Sequence, residues 1–187
     1  MSTFEYLSVA LSFVIGLGVT YLLTSLLALF RERRTCRPDW LPLLWTGYVF
    51  TYQVQFWWAT FEASAIETWT LPRFLVLLSF SLLLFGAGGL VIPNDPARYP
   101  EGLRAYFEVD GRWGVALLSA YFVLAAPLNL WFFGTPLFDP LNISILAMGL
   151  FGMAFLRLRD RRSQVVHSAI FGLVALGLFI WMSPWSY

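Results

Sequence analysis

The sequence predicts an all-α membrane protein, a bundle of six transmembrane helices with either a short interfacial helix or an ordered loop between spans 3 and 4. Hydrophobic residues make up 59% of the chain and charged residues 12%, whereas soluble domains are about 45–50% apolar and about 25% charged. Six apolar stretches approach the roughly 20 residues that a helix needs to cross the hydrocarbon core. Aromatic residues reach 19%, which is typical of a chain that crosses membrane interfaces repeatedly.

The ends of the spans follow from capping residues and charges. Asp39 and Asp139 are suitable N-caps for spans 2 and 5, and Pro72 and Pro140 suit the first turn of spans 3 and 5. Span 1 stops at the charged run that begins with Arg31. We therefore expect one transmembrane domain over residues 1–187, with spans at about 4–30, 40–62, 72–92, 112–133, 140–156 and 164–182.

One connection, residues 93–111, is longer than the others. Its second half carries apolar residues on one helical side and charged residues on the other: Leu103, Tyr106 and Phe107 against Glu101, Arg104 and Glu108. This pattern favours a short helix lying on the membrane interface. An ordered loop explains it equally well.

The arginines predict the orientation of the bundle. Eleven of the 12 basic residues, all of them Arg, follow spans 1, 3 and 5 or precede the next span, and only Arg73 lies at the other end. The positive-inside rule makes the arginine-rich connections cytoplasmic. Both termini are then expected outside the cytoplasm.

Composition excludes several kinds of chemistry. The chain has no Lys, so neither retinal nor pyridoxal can form a Schiff base with it. Its one His, His167, cannot supply a bis-His haem site or a multi-His metal site, and its one Cys, Cys36, cannot form an internal disulfide. The net charge of +1 gives no basis for nucleic-acid binding. We expect no cofactor, no metal site and no catalytic residues.

Span 2 is the span with the most polar and aromatic residues. One of its faces carries residues at helical spacing, namely Trp45, Tyr48, Tyr52, Gln55, Ala59 and Glu62, and the opposite face carries Thr46, Gln53 and Thr60. A helix that is polar on two sides belongs inside a bundle, because lipid cannot satisfy polar groups.

Two interpretations of this span remain open. Gln53 and Gln55 lie near the bilayer midplane, where an unpaired amide costs several kcal/mol, so both need partners. They either bond to neighbouring helices or belong to a pathway or ligand site. The candidate lining residues of such a site are Tyr48, Tyr52, Gln53, Gln55, Glu62 and Asn129. Asn129 enters this set because Pro127 interrupts span 4 beside it.

A small group of charges is predicted at the non-cytoplasmic boundary. Glu5, Glu62 and Arg73 fall at similar depth, and carboxylates at a helix end can reach interfacial water. They form either a simple charge cluster or an acidic vestibule that gathers cations.

Span 1 carries small residues at every fourth position, and we call this set the small-residue ladder: Ser8, Ser12, Gly16, Thr20 and Thr24. Such spacing permits close approach of another helix. The expected partners are the lipid bilayer and either neighbouring copies of this chain or a partner membrane subunit.

Three sequence segments resemble an uncharacterised group of bacterial multi-span membrane proteins. These are Phe4-Glu5-Tyr6-Leu7-Ser8-Val9, Gly16-Leu17-Gly18-Val19-Thr20 and Gln53-Val54-Gln55-Phe56-Trp57-Trp58. The resemblance covers most of the chain and implies a bacterial inner membrane as the location. It implies no activity.

Three classes of function fit these observations. The first is a small channel or transporter with a pathway along span 2. The second is a non-catalytic accessory subunit of a larger membrane complex. The third is a membrane protein that binds a lipid, quinone or pigment against the aromatic residues of span 2. An enzyme ranks last, because neither Glu5 nor Glu62 has a visible partner acid or metal.

Overall fold

The computed structural model describes residues 3–66 and 68–182. Within these two ranges the regular structure is helical and contains no β-strand. The α-helices are α1 (Thr3–Arg31), α2 (Trp40–Ala59), α3 (Leu71–Val91), α4 (Leu103–Tyr106), α5 (Arg112–Phe133), α6 (Pro140–Ala154) and α7 (Arg161–Met182). The prediction of an all-α bundle with six long helices is confirmed.

Five helical segments are long and apolar enough to cross a membrane: Phe4–Arg31, Leu71–Val91, Leu103–Phe133, Pro140–Arg157 and Arg161–Trp181. The remaining long helix, α2, is not among them, although its 20 residues correspond to about 30 Å. It contains both glutamines of the candidate site, Gln53 and Gln55. It packs along α1, α3 and α7, so much of its polar surface is covered by other helices.

The six long helices form a closed ring in the order α1, α2, α7, α6, α5, α3, and α2 also contacts α3 across the ring. We call the end with the α1–α2 and α6–α7 connections the arginine-rich end and the opposite end the arginine-poor end. At the arginine-rich end Arg112 donates hydrogen bonds to the carbonyls of Leu156 and Leu158. At the arginine-poor end the Phe4 and Trp69 rings lie 6.3 Å apart.

Glycines allow α5 to approach both of its neighbours closely. A Cβ added to Gly114 would lie 2.6 Å from the Val91 nitrogen and 2.7 Å from the Ala87 carbonyl oxygen of α3. On the other side, a Cβ on Gly149 of α6 would lie 2.8 Å from the Val123 nitrogen of α5. These backbone contacts are the small-residue packing that is common between membrane helices.

The short helix predicted between spans 3 and 4 is α4. It continues through a π-helical turn, Phe107–Gly111, directly into α5. Its apolar side chains Leu103, Tyr106 and Phe107 are buried, and the Tyr106 hydroxyl donates to the Leu90 carbonyl at 2.8 Å. The apolar side of α4 therefore packs against the rest of the protein rather than against a lipid interface.

Two helix boundaries differ by three residues from the sequence-based boundaries, and the others by at most two. The α-helix of span 2 ends at Ala59, and a 3-10 segment, Thr60–Ala65, follows it, so Glu62 lies in this tighter turn. Helix α7 begins at Arg161 rather than Gln164. Its start is stabilised because the Asp160 carboxylate accepts a hydrogen bond from the Ser163 backbone nitrogen at 2.8 Å.

Most of the small-residue ladder of α1 faces away from the bundle. Gly16, Thr20 and Thr24 are exposed, and a Cβ on Gly16 would meet no atom within 4 Å. The opposite side of α1 packs inward through Leu11, Ile15, Gly18, Leu22, Ser25 and Leu29. Association of the ladder with another chain remains a prediction.

Candidate functional site

A cavity of about 420 Å³ lies among α2, α3, α5, α6 and α7. Most of its wall is apolar, and its aromatic members are Tyr52, Phe56, Phe80, Tyr121, Phe122, Phe132, Phe133 and Phe179. Thr60, Glu62 and Thr135 line it at the arginine-poor end. The volume lies within the roughly 300–1,000 Å³ typical of small-molecule sites.

The helix periodicity of α2 and α5 places these side chains on the cavity wall. On α2, Tyr52, Phe56 and Ala59 recur at three- and four-residue spacing and face the same side. On α5, the lining runs from Tyr121 to Phe133, past Pro127 within the helix. Tyr121 lies about 14 Å along α5 from its start, so the cavity extends from mid-bundle to the arginine-poor end.

Aromatic rings close the cavity toward the arginine-rich end. The Tyr52 ring packs edge-on against Phe122, with centroids 4.6 Å apart. Tyr121 packs edge-on against Phe80 at 5.6 Å and against Phe56 at 6.1 Å. Such edge-to-face pairs are favourable geometries. These ring contacts form the wall of the cavity on the side of the arginine-rich end.

The interior beyond this layer is tightly packed. Trp45 and Phe171 are both fully buried, and their ring centroids lie 4.7 Å apart. Phe155 packs edge-on against Trp45 at 5.3 Å. A buried aromatic cluster therefore lies in the half of the bundle nearer the arginine-rich end.

Tyr121 carries a polar atom into this apolar wall. Its side chain is 8% exposed, and its hydroxyl oxygen keeps some accessible surface. None of the hydrogen bonds among the described residues involves this hydroxyl, whereas the nearby Tyr52 hydroxyl reaches the Ala175 carbonyl at 3.5 Å. The Tyr121 hydroxyl is thus available to a molecule in the cavity.

Two further polar side chains line the cavity nearer its mouth. Gln55 is half-buried and makes no hydrogen bond to the part of the chain that the structure describes. Asn129 donates to the Asn142 side-chain oxygen at 2.9 Å, and Asn142 in turn donates to the Pro136 carbonyl at 2.9 Å. This chain of bonds fixes the α5–α6 connection and holds Asn129 on the wall.

Four of the six candidate lining residues lie on the cavity wall: Tyr52, Gln55, Glu62 and Asn129. Gln53 and Tyr48 do not. A role of the four lining residues in a pathway or ligand site remains a prediction.

Gln53 instead bonds to a neighbouring helix. It is fully buried, and its side-chain nitrogen donates to the Leu84 carbonyl of α3 at 3.0 Å. Gly18 and Gly88 leave room for this amide, because a Cβ on either would lie 2.8 or 3.1 Å from that nitrogen. Of the two interpretations of the span 2 glutamines, a hydrogen bond to a neighbouring helix therefore applies to Gln53.

Tyr48 belongs to the contact between α2 and α7, which we call the α2–α7 seam. Its hydroxyl donates to the Ser168 carbonyl at 3.1 Å, and the Trp45 indole nitrogen donates to the Ser168 hydroxyl at 2.9 Å. Gly172 makes space for the Tyr48 hydroxyl. At the arginine-rich end the seam closes with the Arg161–Asp39 ion pair, 2.6 Å between nitrogen and oxygen.

The predicted charge group lies at the arginine-poor end. The turn that contains Glu62 contacts α1, whose first turn contains Glu5. Arg73 donates a hydrogen bond to the Thr68 carbonyl at 2.6 Å. A role of Glu5, Glu62 and Arg73 in gathering cations remains a prediction.

Sequence reasoning did not find several residues that shape the site. Tyr121, Phe80 and Met148 line the cavity but look like ordinary apolar positions of long helices. Asn142 is fully buried. Its position could have been noticed in the sequence, because an amide inside an apolar span needs a hydrogen-bond partner. Across the described residues, no cluster of three or more His, Cys, Asp or Glu is positioned to hold a metal ion.

Together, these features define a class: an α-helical membrane bundle with an aromatic cavity that reaches one end. No protein-family model, no curated protein and no solved structure matches the chain.

Proposed function

We propose that the chain is a membrane-embedded binding protein that takes a small, mostly apolar molecule into the cavity from the arginine-poor side. The aromatic layer on the arginine-rich side of the cavity, which contains the Tyr52–Phe122 and Tyr121–Phe80 ring pairs, is the observation that carries this proposal. A cavity that is open toward one end and packed toward the other suits reversible binding better than a continuous pore. Apolar walls with a few polar groups are typical of ligand sites.

Filling the cavity is expected to remove the bound molecule. Ala59 lines the wall, and we expect Ala59→Trp to reduce the apolar small molecules that co-purify with the protein at least tenfold, because the indole occupies their volume. Mass spectrometry of organic extracts measures this. Ala125→Leu, on the opposite wall, introduces a smaller group and should act in the same direction.

The matched control is Ala169→Trp, since Ala169 is exposed on α7 and a side chain there points away from the cavity. Thermal unfolding of each variant confirms that the fold persists. Equal co-purification with Ala59→Trp and Ala169→Trp, or no specific molecule with the unsubstituted chain, would contradict the binding proposal.

A transporter is the second candidate, and the α2–α7 seam favours it. Buried and half-buried polar groups continue from Tyr52 past Tyr48 and Ser168 to the Arg161–Asp39 pair. The Gln164 side-chain oxygen and Arg161 Nη1, both in this region, have no hydrogen-bond partner among the described residues. A seam with unpaired polar atoms is easier to open than the apolar core, so separation of α2 from α7 would connect the cavity to the arginine-rich end.

Crosslinking the seam distinguishes these two candidates. We expect a cysteine pair at Tyr48 and Gly172, joined by a short bifunctional thiol reagent because the hydroxyl tip of Tyr48 rather than its Cβ approaches Gly172, to leave binding intact in both cases. After crosslinking, a transporter in proteoliposomes loses flux, whereas a binding protein shows none before or after.

We propose, from the arginine distribution, that the arginine-rich end faces the cytoplasm of a bacterial inner membrane. Reporter fusions are expected to show a tag after residue 187 and a tag before residue 1 outside the cytoplasm. A tag in the α6–α7 connection, beside Arg159, serves as the internal comparison and should report from the cytoplasm. Reversal of this pattern would turn the cavity mouth toward the cytoplasm.

A further inference from the structure

We infer that the cavity recognises a neutral molecule with an apolar ring body and a carbonyl oxygen, which accepts a hydrogen bond from the Tyr121 hydroxyl at the inner end. This inference rests on the proposed binding function and specifies the chemical class of the ligand. The Tyr121 hydroxyl is a polar group in an apolar part of the cavity wall. Tyr121 is 8% exposed, and its hydroxyl makes no hydrogen bond within residues 3–66 and 68–182.

The rings around Tyr121 fix the direction of its hydroxyl. Phe80, Phe56 and Phe122 pack edge-on against the phenol ring at 5.6, 6.1 and 5.3 Å. A ring held on three sides has little freedom to turn its hydroxyl toward a backbone carbonyl. Hydroxyls in an apolar interior normally find a partner, and this one faces the cavity, so the partner here is a molecule in the cavity.

The donor role of Tyr121 follows from the other wall residues. A phenol both donates and accepts, but the inner wall offers only one other phenol, Tyr52, at 6.5 Å between ring centroids. The Tyr52 hydroxyl reaches toward Ala175. An acceptor atom on the ligand therefore receives one directed bond from Tyr121, and Gln55, about one turn from Tyr52, can bond a second polar atom nearer the mouth.

The charge of the wall determines that the ligand is neutral. Glu62 is the one charged residue among the described lining residues, and it lies at the arginine-poor end. An anion at the inner end would find no basic side chain, and burying an unpaired charge of either sign is strongly unfavourable. The aromatic walls, by contrast, stack well on a planar ring.

A pair of probes that differ only in their carbonyls tests this inference. The probes are 2-methyl-1,4-naphthoquinone and 2-methylnaphthalene. Their binding is to be measured by equilibrium dialysis against the full chain in lipid nanodiscs and against empty nanodiscs. We expect the quinone to bind about three- to tenfold more tightly after correction for partitioning into lipid, as one neutral hydrogen bond predicts. Tyr121→Phe should abolish this preference and leave hydrocarbon binding unchanged.

The control is Tyr48→Phe, whose hydroxyl bonds to the Ser168 carbonyl outside the cavity; this variant should keep the preference for the quinone. A preference that survives Tyr121→Phe overturns the inference while leaving the binding function in place. Absence of binding by either probe above empty nanodiscs overturns both. Tyr121→Phe removes a hydroxyl that makes no hydrogen bond among the described residues, so folding is expected to persist, and a circular-dichroism melt verifies it.

Discussion

Replacing Gly114 by leucine is expected to separate α5 from α3 and to lower the unfolding temperature of the bundle more than any other single change considered. A Cβ at this position would lie 2.6, 2.7 and 2.9 Å from three backbone atoms of Ala87 and Val91. Backbone cannot move aside as a side chain can, so the two helices must part. Overpacking of this kind costs about 1–3 kcal/mol, and more where nothing can relax.

The matched control is Gly47→Leu on α2, because a Cβ there would meet no atom within 4 Å. This substitution should leave the unfolding temperature unchanged or raise it slightly, since glycine is a poor helix former. Thermal unfolding of both variants in the same detergent measures the difference. Equal melting temperatures would mean that α3 and α5 are not in backbone contact at Gly114.

Asp39→Asn is expected to destabilise the arginine-rich end of the α2–α7 seam by about 1.5–3 kcal/mol, the range for hydrogen bonds to a charged group. The side chains of Arg161 and Asp39 are 23% and 17% exposed. Both carboxylate oxygens of Asp39 bond to the same Arg161 nitrogen, at 2.6 and 2.8 Å. Asparagine can still cap α2 as Asp39 does, so the loss measures the ion pair.

Two comparisons isolate this effect. Arg98→Gln removes a pair with Asp95 whose side chains are 78% and 48% exposed, and it should change stability by less than about 1 kcal/mol. The double variant Asp39→Asn with Arg161→Gln should lose less than the sum of the two single variants. Simple additivity in chemical unfolding would show that the two residues do not interact.

Hydropathy and capping residues were sufficient to predict the helices, because each span is a local property of the chain. Asp39 and Asp139 accept bonds from the Leu41 and Leu141 nitrogens at 2.9 Å, as N-caps do. The two-sided polarity of span 2 also predicted its covered faces. It did not predict that a third face of α2 is exposed, which carries Phe50, Val54 and Trp57.

The cavity could not be predicted, because it depends on which helices are neighbours. Gln53 and Gln55 lie at similar depth, yet Gln53 enters a space between Gly18 and Gly88 while Gln55 lines the cavity. Only the order of helices around the ring brings those two glycines together. In the same way, nothing in the sequence around Tyr121 shows that its hydroxyl lacks a protein partner.

Cys36 gives the chain a practical property. This thiol lies in the connection between α1 and α2 and is fully buried, and burial raises its pKa above the ordinary value. A protonated, inaccessible sulfur reacts slowly with maleimides and similar reagents. The unsubstituted protein thus behaves as a nearly silent background for thiol labelling, so single cysteines introduced along α2 or α7 could be mapped for water access without first removing the native one.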